Sequence, residues 1–199
     1  MKHKTFHSKK ENKFWQIVRK IKDPIFSPFF WPLKKLKITP NQISYTGVAF
    51  AIIAFLGYEN DLILAIFIFL NFMADGLDGA YARHIKKDSQ KGALLDIQCD
   101  IIGLAFILMA ISYNGLVPEL WALIYFGLYA LLIHFSIFLN KIKKPFRLVF
   151  RTRAWISILA FFSLIFAVDL VSPLVIISCP YYGYYIVKGF GTIKEHYKK

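Results

Sequence analysis

Cysteine is scarce in this chain. Only Cys99 and Cys179 occur, both inside apolar stretches, which excludes a disulfide framework or a CxxC metal site and reads as two small buried hydrophobes. Acid is scarce too, with 12 Asp and Glu against 25 Lys and Arg. The N-terminal stretch lacks the short apolar core and small-residue cleavage site of a signal peptide, and no repeat or low-complexity segment stands out. What is abundant is apolar surface: 57% of the 199 residues are hydrophobic and 20 are Phe. A net charge of +13 on its own suits a nucleic-acid binder. Long apolar runs require a low-dielectric partner instead, and a lipid bilayer satisfies both features, so nucleic acid is not expected as a partner.

A hydrocarbon core of about 30 Å requires roughly 20 residues per helix, and six stretches approach that length: 43–58, 62–83, 92–113, 116–139, 154–171 and 173–191. Their placement divides the charges in a way that was not used to find them. Eleven basic residues precede Thr39, four lie at the second connection, six (Lys141, Lys143, Lys144, Arg147, Arg151, Arg153) at the fourth, and four follow Tyr185, which accounts for all 25. The other connections carry only Glu59, Asp61, Glu119 and Asp169. By the positive-inside rule both termini are cytoplasmic. The expectation is an all-α polytopic membrane protein with six transmembrane helices over residues 39–199. Residues 1–38 form a basic segment ahead of it. There Phe14, Trp15, Val18 and Ile21 recur at near-helical spacing among Lys and Arg, which suits an amphipathic interfacial helix; a disordered basic tail is the alternative. Pro24, Pro28 and Pro32 are expected to break regular helix, with Phe26, Phe29, Phe30 and Trp31 as apolar anchors.

Asp75, Asp78, Asp96 and Asp100 fall inside the second and third spans. On insertion scales each costs roughly 2.5–3.5 kcal/mol at mid-bilayer, so four uncompensated carboxylates are untenable. Spacings of i, i+3 and i, i+4 put each pair on one helix face. The short connection from His84 to Lys91 makes the two helices antiparallel neighbours, matching Asp75 with Asp100 and Asp78 with Asp96 in depth, on the order of 5–12 Å inside the cytoplasmic boundary. An all-oxygen cluster without His or Cys suits hard cations, Mg²⁺ first, then Mn²⁺ or Ca²⁺, and Mg²⁺ commonly completes its shell with phosphate. A proton or ion path is the competing role. The spans hold almost no basic partner, which argues against a structural ion-pair network. Gly76, Gly79, Ala80 and Ala82 leave backbone open to a ligand or a packed helix, and Arg83 stands at the boundary as a phosphate fork or as a topological anchor.

Together these residues read Asp75-x-x-Asp78-Gly79-x-x-Ala82-Arg83, then eight residues, then Gly92-x-x-x-Asp96-x-x-x-Asp100. This closely resembles the signature of the CDP-alcohol phosphotransferase family, whose members are six-helix membrane enzymes, usually homodimers, that displace CMP from a CDP-linked donor with an alcohol. The resemblance implies that Asp75, Asp78 and Asp96 hold two divalent ions, Mg²⁺ or Mn²⁺, and that Asp100 serves as ligand and general base. It also implies that Gly79, Ala82 and Arg83 contact the CDP moiety. Ser89 resembles the family's small hydroxyl residue near the nucleotide, or is plain loop polarity. Asn41 and Ser44, in ThrProAsnGlnIleSer, resemble the opening of the first span, with Ser where Thr is usual; a simple helix start is the alternative.

The expected activity is transfer of a phosphatidyl or similar lipid phosphate group from a CDP-linked lipid such as CDP-diacylglycerol to a polar alcohol. A CDP-aminoalcohol acting on diacylglycerol, or a non-catalytic lipid-binding scaffold, are the alternatives. The basic cluster from Lys141 to Arg153 either binds a phosphorylated acceptor or only fixes topology, and His134, Tyr125 and Tyr129 are expected to pack.

Overall fold

The computed structural model describes residues 9–146 and 149–197, with side chains from residue 18 onward. Among the described residues there are seven helices and no strand: α1 (Lys9–Lys35), α2 (Pro40–Leu56), α3 (Asp61–His84), α4 (Gln90–Tyr113), α5 (Glu119–Lys141), α6 (Arg153–Phe166) and α7 (Val171–Tyr197). The starts of α2, α3 and α4 carry polar caps that satisfy otherwise orphaned N–H groups. Thr39 and Gln42 form a capping box ahead of α2, with Pro40 in its first turn. The Asn60 side chain accepts from Leu62 and Ile63 at α3, and the Ser89 hydroxyl accepts from Gly92 N–H at α4, 3.0 Å away.

Three helices, α3, α4 and α5, are long and apolar enough to cross a membrane. Their outer faces expose side chains such as Leu62, Ile66, Phe69, Ile102, Met109, Leu123 and Leu131, the pattern of an integral membrane protein. The expected first and fifth spans are shorter, at 17 residues for α2 and 14 for α6, and the expected sixth lies in α7, which has the length at 27 residues but is not one of the three. At 1.5 Å per residue α2 and α6 extend about 25 and 21 Å.

α2 packs along both α3 and α4, and these two touch each other far less. The tight hairpin expected from their short connection is therefore opened by α2. The wedge is possible because its inward face is small: Gly47, Ala51 and Ala54 are buried there. Gly103 of α4 closes on it with a Cβ position only 3.2 Å from Asn71. Asn71 in turn donates to the Gly47 carbonyl at 2.9 Å, so close backbone approach and a buried amide hold the three helices, as small residues and polar bridges do in membranes. The same core continues where α5 packs on α7, with Tyr125, Leu132, Ile156 of α6, Val175 and Tyr182 all fully buried.

The prolines expected to interrupt the N-terminal segment do not, for α1 runs unbroken through Pro24, Pro28 and Pro32. Spaced four apart, they align on one face, so the missing N–H groups fall in a single stripe. The Pro24 carbonyl, whose helical partner would be the nitrogen of Pro28, accepts instead from the Ser27 hydroxyl at 2.8 Å. Nor do the aromatic anchors act alike. Phe29 and Trp31 are exposed, while Phe26 and Phe30 are buried against α3. Ile21 and Ile25 extend the exposed apolar side; the side chains of Phe14 and Trp15 lie outside the described residues.

Candidate active site

Three of the four acids come together where α3 ends and α4 begins. Asp75 and Asp78 project from the last turns of α3, and Asp96 and Asp100 from the first turns of α4. Carboxylate oxygens of Asp75, Asp96 and Asp100 lie within 4.8 Å of one another. Asp75 and Asp100, which the spacing matches in depth, both belong to this group. Asp78 is the most enclosed of the four: it is buried and accepts from the Ser44 hydroxyl and from the Gly79 N–H. Ser44 thus joins the acid cluster from α2 rather than standing apart from it.

The donor set fits a hard divalent cation on two counts. It consists of carboxylate oxygens alone, and the buried Asp96 Oδ1 atom has no hydrogen-bond partner among the described residues, an orphan that a bound cation would satisfy.

One expectation about this cluster is corrected. The acids do have a basic partner, because Arg153 Nη1 stands 2.9 Å from Oδ1 of both Asp75 and Asp100. Arg153 occupies the first turn of α6, so a residue assigned by sequence to a connection reaches sideways into the cluster. α6 packs on α3, which brings the two ends level. The preceding Thr152 is fixed by buried hydroxyls: its N–H donates to Tyr182 Oη at 2.9 Å, and its Oγ1 lies 2.7 Å from both Tyr125 Oη and Tyr182 Oη. Tyr125, expected only to pack, therefore helps hold the base of Arg153. Tyr129 does pack, stacked on Tyr125 with centroids 5.9 Å apart, and His134 bonds only the Ala130 carbonyl of its own helix.

The remaining predicted residues divide into two places. Gly79, Ala82 and Arg83 lie on α3 beside α1. The Arg83 guanidinium covers Gly79, where a Cβ would come within 3.2 Å of Nη1, and it pairs through two nitrogens with Asp23 of α1. The Ala82 carbonyl accepts from Lys87 N–H at 2.9 Å and closes the helix end. Asn41, in the first turn of α2, and Ser89, just ahead of α4, meet beside Gly92. Ser89 caps that helix, and Asn41 Oδ1 lies 3.8 Å from where a Gly92 Cβ would be.

α1 was not expected to touch the site. Lys22 Nζ reaches the Asp75 carbonyl at 3.5 Å, and the Phe26 ring fills the space above Gly76, where a Cβ would collide with it. Burial, then the Arg83 charge, lower the Arg19 pKa, opposed by Asp23 and Asp88, so a compact cluster of mixed charge forms at this junction. A signal did exist: Glu11 and Asp23 are the two acids among eleven bases before Thr39.

A sequence model of the CDP-alcohol phosphatidyltransferase family matches residues 37–184. The chain belongs to this family. The match runs from just ahead of α2 into α7 and includes every acid of the cluster, while α1 precedes it. Membership in the CDP-alcohol phosphatidyltransferases makes the chain a transferase of substituted phosphate groups. No curated protein and no solved structure was found to match it.

Proposed function

We propose that this chain transfers a phosphatidyl or similar lipid phosphate group from a CDP-linked lipid such as CDP-diacylglycerol to the hydroxyl of a polar alcohol, with release of CMP. The observation that carries the reading is the convergence of Asp75, Asp96 and Asp100 to within 4.8 Å, on helices that also present the intact motif glycine and arginine. Asp75, Asp78, Asp96 and Asp100 would hold Mg²⁺ or Mn²⁺, two ions in the family pattern, which would neutralise charge on the donor pyrophosphate and the departing CMP. Asp100 accepts the proton of the alcohol as its oxygen bonds to the lipid-linked phosphorus and the bond from that phosphorus to CMP breaks. Gly79 and Ala82 leave room for the CDP moiety, Arg83 binds it, and Asn41, Ser44 and Ser89 border it from α2 and the start of α4.

α2, α6 and α7 join α3, α4 and α5 in a six-span bundle over residues 39–199, and α1 lies in the cytoplasmic interface ahead of it. Termini and site then face the cytoplasm, and the enzyme works as a homodimer. Arg153 beside the acids makes a phosphorylated acceptor worth testing alongside neutral ones. Purified protein is incubated with labelled CDP-diacylglycerol, Mg²⁺ and glycerol phosphate, inositol, inositol phosphate or serine, and CMP release is measured. One acceptor is expected to drive release, and chelation to abolish it. Release from no acceptor with CDP-diacylglycerol, but from CDP-aminoalcohol with diacylglycerol, overturns the direction of transfer. Undiminished release after verified metal removal overturns the metal site.

A further inference from the structure

Arg153 is held in an unusual way. Its side chain is buried to about nine-tenths, yet a single nitrogen, Nη1, makes the ion pairs to both Asp75 and Asp100, and the buried Nε has no partner among the described residues. Its backbone is fixed by the preceding Thr152, tied to Tyr125 and Tyr182. The helix does not favour it either, since a cation in the first turn of α6 faces the positive end of the helix dipole. Asp75 and Asp100 are what keep the guanidinium in place.

Those two carboxylates belong to the group able to hold a divalent cation. The oxygens that receive Nη1 are then claimed twice. A divalent ion held by Asp75 and Asp100 would take lone pairs that now receive Nη1 and would repel the guanidinium beside it. One guanidinium, moreover, neutralises only one of four carboxylates, so it is the weaker counter-charge for a buried acid cluster.

We propose that Arg153 is a resident counter-cation of the acid cluster and exchanges with the divalent ion: the guanidinium bridges Asp75 and Asp100 in metal-free protein and leaves them when metal binds. This rests on the metal reading of the site given above. The exchange keeps the cluster from standing uncompensated in the membrane, and it makes metal loading and the position of Arg153 a single two-state element. Because the coupling is reciprocal, whatever stabilises Arg153 on the carboxylates weakens metal binding, and the reverse.

Two measurements on full-length detergent-solubilised protein test this. Mn²⁺ affinity is measured by titration calorimetry for wild type and Arg153→Gln. The variant is expected to bind about tenfold more tightly, within the usual range of coupling between sites. Unchanged or weaker affinity overturns the proposal. In the wild type, the reaction of Arg153 with phenylglyoxal is followed by peptide mass spectrometry with and without Ca²⁺, which needs no folded variant. Protection without metal and several-fold faster modification with it is the expected result; equal rates overturn the exchange. Wild type that binds no Mn²⁺ at all fails the metal reading itself, an outcome distinct from normal Mn²⁺ binding with an unmoved Arg153.

Discussion

At the scale of single residues, the four acids have unequal surroundings, and these separate their roles. Asp78 is locked by Ser44 and by its neighbour's N–H, which leaves it little freedom to accept a proton from a substrate. Asp100 faces Asp75 and Arg153 and is half-buried, a position open to an incoming hydroxyl. Asp100→Asn keeps an oxygen ligand and the side-chain volume but cannot act as a base at neutral pH. CMP release is expected to fall by about 10² to 10⁴, with CDP-diacylglycerol affinity largely kept. The corresponding change at Asp96 weakens metal and donor binding along with turnover. If excess Mg²⁺ restores Asp100→Asn to near the wild-type rate, Asp100 is only a ligand. The acids were legible from sequence because a carboxylate in a lipid-length apolar run has few explanations. Arg153 was not, because a base at the edge of a span is already explained by topology, and its partners lie 78 and 53 positions away along the chain.

At the scale of elements, the instructive case is α1 on α3. Proline content predicted a broken segment, but a four-residue period concentrates the lost hydrogen bonds on one face and lets the helix continue. Phe26 then docks over Gly76 with Lys22 and Asp23 on either side. Gly76 was open to two readings in sequence, ligand access or helix packing, and the second is what the structure places there. Gly76→Ala forces the Phe26 ring away and is expected to cost about 1–3 kcal/mol, the scale of overpacking. The penalty should shrink when Phe26 is Ala, since the clash is gone. Thermal unfolding of both single variants and the double variant gives the coupling; strictly additive effects would show that this contact does not hold α1 to α3. The α2 wedge escaped prediction for a related reason. A short connection constrains the ends of α3 and α4 and says nothing of their middles, where Gly47, Ala51 and Gly103 allow a third helix to come between.

At the scale of the whole molecule, charge and contacts sort the helix ends into the same two sets. The connections after α2, α4 and α6 contain no Lys or Arg, and they meet one another. Asn114 donates to Asp61 at 2.8 Å and to the Tyr58 carbonyl at 3.0 Å, and Ser172 donates to the Leu116 carbonyl at 2.9 Å. The acid cluster lies where α3 ends and where α4 and α6 begin, so it gathers the other ends of the same helices together with α1. Contact between alternate connections is what an up-and-down bundle requires, and three of its helices already have the length and apolarity to cross a membrane. In the orientation proposed from the positive-inside rule, the cluster's end faces the cytoplasm. With the buried Cys99 and Cys179 replaced, single cysteines introduced at Asn60 and Val168 are expected to react with an impermeant maleimide added outside intact cells, and one at Lys143 only after permeabilisation. Because Asn60 and Val168 belong to connections at the same end, the two must behave alike. Labelling of Lys143→Cys from outside would reverse the orientation and put the site on the far face, whereas opposite behaviour at Asn60 and Val168 would mean that α6, at 14 residues, does not cross.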